Sequence, residues 1–145
     1  MRVNTRLRLA FNRLQRRYRI GRDRGLYQVS ALIRKESRES MRKRRKASPP
    51  GKPPTAHVRN GLKEINFHVQ GNSAIIGPRK FRGSNFFNRP VPNIHEKGGI
   101  TVGASIRRRY TAKYPERSFM WSSVKKLKGK GKIQSRFNVT LIRSW

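Results

Sequence analysis

Six carboxylates stand against 37 lysine and arginine side chains in this chain of 145 residues, a formal net charge of +31. Self-repulsion on that scale opposes compaction. Any fold the chain adopts must spread a basic surface over itself or be neutralised by an anionic partner. The excess is no tail on a neutral domain, because residues 1–46, 47–115 and 116–145 carry +14, +10 and +7. The length suits one domain that buries roughly two-thirds of its unfolded surface. A hydrophobic content of 34% is lean for such a domain, so part of the chain is expected to order only against a partner. The absence of cysteine removes disulfides, thiolate nucleophiles and thiolate-bound zinc together. No apolar run is long enough to cross a bilayer. The opening "MRVNTRLRLAFNRLQRRYRI" is broken by arginines every few residues and lacks a signal-peptide core, although it has the make-up of a basic amphipathic or transit-type segment. The soluble reading, with no membrane partner, is preferred.

Hydrophobic spacing divides the chain. Val3, Leu7, Ala10/Phe11, Leu14 and Tyr18 recur at steps of three or four and predict a helix over 3–19 with an arginine-rich outer face. "RIGRDRG" is read as a break at its two glycines, which leaves residues 1–25 as a basic helical segment ahead of a single domain over 26–145. A second helix is predicted from Leu26 to Arg45, with Leu26, Val29, Ile33, Ser37 and Ser40 or Met41 on its buried side. Pro49, Pro50, Pro53 and Pro54 cannot continue it, so 47–61 is expected to be an extended connector. Lys63, Ile65, Phe67 and Val69 then alternate with polar residues, and "QGNS" places Gly71-Asn72 at a tight turn before "SAIIGP", a hairpin.

Further along, residues 80–92 read as a loop with Phe86 and Phe87 tucked beneath. Residues 100–114 read as a short strand pair around the basic loop "RRRYTAK". Pro115 is placed to start a helix that faces inward through Phe119, Met120, Val124 and Leu127. "KGKGK", residues 128–132, reads as a flexible linker. Ile133, Ser135, Phe137, Val139 and Leu141 alternate against polar residues, which predicts a closing strand. The expected class is α+β, with N-terminal helices packed on a small antiparallel sheet, one further C-terminal helix and that closing strand.

Catalytic chemistry finds little support. The six carboxylates form no evident acid–base pair, and Glu36 and Glu39 lie one turn from Arg and Lys residues, where they support the helix. His95-Glu96 resembles the start of a zinc-protease helix, but "HEKGG" lacks the second histidine, and scattered His57, His68 and His95 are read as solvated or hydrogen-bonded side chains. Neither "GPRKFRG" nor "GKGKGK" matches a phosphate-binding loop, and no serine sits in a nucleophile elbow. No enzyme, metal or cofactor is expected. Basic clusters remain, around Arg16 and Arg17, Arg42, Lys43, Arg44 and Arg45, Arg107, Arg108 and Arg109, and "KKLKGKGK". Tyr18 and Tyr110 lie among arginines, an arrangement able to stack bases or clamp phosphates. Each run alone is a solvated face; together they favour a polyanion nearby, either nucleic acid held by its backbone or an acidic protein ring.

An ordered series of short motifs goes further. "SPPGKPP", "RNGLKEINFHV", "AIIGP", "NIHEKGG" and "YPERSFMWSSVKKL" together resemble the small neck proteins of tailed bacteriophages, the head-to-tail connector or tail-completion family, over roughly residues 30–128. On that resemblance Ser48, Pro49, Pro50, Gly51, Pro53 and Pro54 form an extended inter-subunit docking loop. Gly61 and Leu62 open the first strand, and Gly77 and Pro78 close the hairpin. Glu96, Gly98 and Gly99 make a turn, and Arg117, Phe119 and Met120 anchor the late helix. Asn60 and Ser118 depart from the usual Thr/Ser and Pro, and the segment before residue 26 is longer and more basic than the pattern. The resemblance implies a virion protein assembled in the bacterial host cytoplasm. It would form a homo-oligomeric ring, commonly of six or twelve copies, between portal or adaptor and tail tube around the DNA channel, as tail-completion protein or tail terminator. Two alternatives stand beside it: an RNA-binding protein of a ribosome-like particle, with which a pI near 12.0 agrees, and a minor head protein that binds genome DNA.

Overall fold

The structure, a computed structural model, describes residues 2–41, 48–55, 63–78, 96–104 and 109–143. Its class is α+β. The order is α1 (Arg2–Ser40), β1 (Ile65–Gln70), β2 (Ser73–Pro78), β3 (Gly99–Ala104), β4 (Arg109–Tyr114), α2 (Met120–Gly129) and α3 (Lys132–Ile142).

Three predicted elements are corrected. The first is the break at "RIGRDRG": α1 is one helix of 39 residues and runs straight through Gly21 and Gly25, so the boundary expected at residue 25 falls inside it. A glycine costs a helix about 1 kcal/mol relative to alanine, which long flanks of good helix formers readily absorb. Both glycines are buried, and a methyl group at Gly25 would lie 2.7 Å from Cδ2 of Phe137. They are there for close packing. The second helix, expected to reach Arg45, is the tail of this same element and ends at Ser40.

The second correction is the closing strand. Residues 132–142 form α3, whose more covered positions Ile133, Phe137 and Thr140 follow a step of four and then three. Alternation along "IQSRFNVTLI" is compatible with either period over so short a run, and packing against α1 decided it. The third is the linker. Only Lys130 and Gly131 separate α2 from α3. The Lys130 and Gly131 amides donate to the carbonyls of Lys126 and Lys128, at 3.2 and 2.9 Å, and Gly131 takes a φ of +64° that ends the first helix.

The hairpin forms as expected: β1 pairs antiparallel with β2, Phe67 opposite Ile76 and Gln70 opposite Ser73, around Gly71-Asn72. The strand pair also exists, Gly99 opposite Tyr114, but "RYTAKY" belongs to β4, and the connection between β3 and β4 is only 105–108. The two hairpins are separate two-stranded sheets. Phe86, Phe87, His57, His95, Gly61 and Leu62 lie outside the described residues.

β1–β2 lies along one side of α1. Arg22 reaches the turn at Asn72, the Tyr27 ring meets Phe67 edge-on at 5.0 Å, the Arg34 guanidinium sits 5.2 Å over that ring, and Arg38 donates to the Lys63 carbonyl at 2.7 Å. α2 and α3 run antiparallel to α1: Phe119 packs with Met41, Lys126 pairs with Glu36, and Phe137 meets Gly25. The core cluster is Met41, Ile65 and Phe119, with Ile76 and Met120 against it. Its position is set where the end of α1, the start of β1 and the start of α2 meet.

Candidate docking cleft and basic helical arm

Phe119 occupies the N-cap position of α2, yet its side chain is fully buried and caps nothing. The orphan amides of the first turn are satisfied from elsewhere. Oε1 of Glu96 accepts from the Met120 amide at 2.5 Å and the Trp121 amide at 3.1 Å, which places a carboxylate on the positive end of the helix. Ser118, where the resemblance has proline, helps: its hydroxyl accepts from the Ser122 amide at 3.3 Å. Gly98 and Gly99, with φ of +63° and +128°, reverse the chain from the helical turn at Glu96 into β3.

The proline segment is corrected from an extended arm to a closed turn. Gly51 has a φ of +74°, the Lys52 amide donates to Pro49 at 3.3 Å, and the hydroxyls of Ser48 and Thr55 bridge the two ends at 2.8 Å. Ser48 and Pro54 are buried, while Pro49, Pro50 and Gly51 are exposed. The Gly51 amide donates to the Glu116 carbonyl at 2.9 Å, which ties the turn to the stretch ahead of α2. That stretch is non-helical, so Pro115 does not start the helix. Its backbone is engaged by the proline turn, and α2 begins five residues later at Met120.

Between these parts opens a cleft of about 760 Å³. Its apolar walls are Ile33 of α1, Ala74 and Ile76 of β2, and Met120, Trp121 and Val124 of α2; Glu96, Lys97 and Glu116 supply its charges. Two of the chain's six carboxylates therefore gather at one opening. Oε2 of Glu96 is buried without a partner, as is Nε of Arg117. Trp121 stays 60% exposed at the rim.

Away from the cleft, α1 continues as an arm. At a rise of about 1.5 Å per residue the helix is about 58 Å long, twice the width of a small domain. From Phe137, the partner of Gly25, α3 advances about 8 Å before it ends, level with about residue 20 of α1. Beyond that level Leu9, Phe11, Leu14 and Tyr18 are exposed, Phe11 by 58%. Residues 1–25 hold nine arginines, no lysine and one aspartate.

Of the residues singled out from sequence, Arg16 and Arg17 lie exposed on this arm and Arg109 begins β4. Arg42, Lys43, Arg44, Arg45, Arg107 and Arg108 lie outside the described residues. Gly77 and Pro78 end β2 opposite Asn66 and Ile65. The cleft itself, with Trp121 and Glu116, was not anticipated. The spacing Gly21-x-x-x-Gly25 signalled the close α1–α3 contact and not the cleft. Among the described residues no cluster of three metal-ligating side chains occurs, and no helix is long and apolar enough to cross a membrane. Comparison with protein-family models, curated proteins and solved structures finds no match.

Proposed function

We propose that this chain is a structural protein of the bacteriophage neck, an oligomeric ring joining the portal or adaptor to the tail around the DNA channel. Its work is geometric: surfaces are presented at fixed spacing, and no substrate is turned over. The observation that carries the reading is that three members of the motif series meet in space. "HEKGG" caps the helix opened by "FMW" through Glu96, and "SPPGKPP" is hydrogen-bonded to Glu116 just ahead of that helix. Segments some 70 residues apart in sequence thus form one unit, as an ordered motif series requires if it encodes a single docking surface.

Ring assembly is tested by negative-stain electron microscopy of nuclease-treated protein in moderate salt, alone and mixed with isolated phage heads or tails. Rings, or added density confined to the neck, are the expected result. A monomer that ignores both particles and co-purifies with RNA overturns the reading in favour of an RNA-binding protein. The two also separate by salt: backbone binding of nucleic acid weakens steeply with ionic strength, whereas contacts rich in apolar surface persist.

A further inference from the structure

Two unpartnered features of this molecule complement each other. The arm of α1 offers an apolar stripe, Phe11, Leu14 and Tyr18, flanked by arginines. The cleft offers apolar walls with two carboxylates, Glu96 and Glu116, against the single lysine Lys97. We propose that the arm of one copy seats in the cleft of the next, a head-to-tail contact that generates the ring; this inference rests on the ring reading above.

Geometry excludes the intramolecular alternative. Ile33 lines the cleft on the same continuous helix that carries Phe11, about 33 Å away along the axis, so the arm cannot fold back into its own cleft. Charge selects the occupant. A second arm laid against the first would bring seven arginines against seven over residues 1–20. The cleft instead presents the exposed carboxylate of Glu116 to the arginines, and its lining, two glutamates and one lysine, is acidic on balance in a chain that is basic everywhere else. Nucleic acid would satisfy the arginines and stack on Tyr18 but leave the aliphatic Leu14 of the same stripe in water. The volume of the cleft lies within the roughly 300–1,000 Å³ of sites that enclose a ligand, room for the side chains of about two helical turns. Because the two halves are different surfaces of one chain, their pairing is heterologous, and such contacts close into rings when the rotation permits.

Mixing of blocked variants tests this. Phe11→Asp/Leu14→Asp blocks the arm, and Glu116→Arg/Trp121→Asp blocks the cleft; all four positions are exposed, and circular dichroism checks that both full-length variants fold. Mass is read by light scattering after nuclease treatment in moderate salt. The expected result is that wild type forms rings, each variant alone is monomeric, and the mixture gives a two-copy complex that grows no further. Rings from either variant alone, or a mixture that stays monomeric, overturn the arm-in-cleft contact and leave the ring reading standing. Failure of wild type to assemble with or without phage heads and tails overturns both.

Discussion

Gly25 shows how much one side chain decides. Alanine there gains about 1 kcal/mol of helix propensity but drives its methyl to within 2.7 Å of the Phe137 ring, an overlap that costs about 1–3 kcal/mol. Gly25→Ala is therefore expected to be destabilising overall, and Gly25→Ala/Phe137→Leu to recover most of the loss, as read by urea denaturation midpoints. Ser37 makes the opposite case. Its hydroxyl is fully buried between helices and unpaired, so Ser37→Ala should be neutral or stabilising by up to about 1 kcal/mol. Ser30, equally buried, donates to the Leu26 carbonyl at 2.7 Å, and its replacement sheds a satisfied group. The two serines should differ in sign or nearly so under the same denaturation assay.

Among the elements, α2 depends on a residue 24 positions upstream. Glu96→Ala removes the acceptor for two amides and the anion at the helix N-terminus, a loss of about 1–2 kcal/mol. Hydrogen exchange should quicken at Met120 and Trp121 while the middle of α1 stays protected. Glu96→Gln keeps an acceptor and should retain part of that protection. The turn between α2 and α3 is equally local: Gly131 sits at a positive φ that costs a side chain roughly 1–2 kcal/mol, so Gly131→Ala should loosen α3 from α1. The β1–β2 hairpin was legible before the fold was known, because period-two alternation around Gly71-Asn72 needs no distant partner. α3 was not. Its alternating side chains carry strand propensity, and the surface that made it helical, the notch at Gly25, lies more than a hundred residues away.

At the scale of the molecule, the charge is carried on a rod and its base. Arg16 and Arg17 stand exposed on the arm, where a bound polyanion would meet them first. Arg16→Ala/Arg17→Ala should lower the slope of log affinity for duplex DNA against log salt by about 2, with little change in thermal stability. The α1–α2 ion pair of Glu36 with Lys126 and the cap at Glu96 use two of the few carboxylates inside the fold, and Glu116 at the cleft leaves a third facing outward. Three of the six acids thus sit where segments meet, while Asp23 and Glu39 pair within α1.

The sequence by itself determined the class, the hairpin and its turn, the strand pair, the inward face of α2 and the helical period of residues 3–19. The local elements follow from periods and turn chemistry acting within fewer than twenty consecutive residues. Only tertiary structure decided whether Gly21 and Gly25 would break a helix or notch one, whether "IQSRFNVTLI" would extend or coil, and how the prolines would close on Ser48 and Thr55. It also decided that Glu96 would cap a helix from a distance, and that Ile33, Ile76 and Trp121 would share a cleft. For the glycines in α1 and the alternating residues of α3 the local preference is on the order of 1 kcal/mol per residue, and contacts between segments distant in sequence outweigh it.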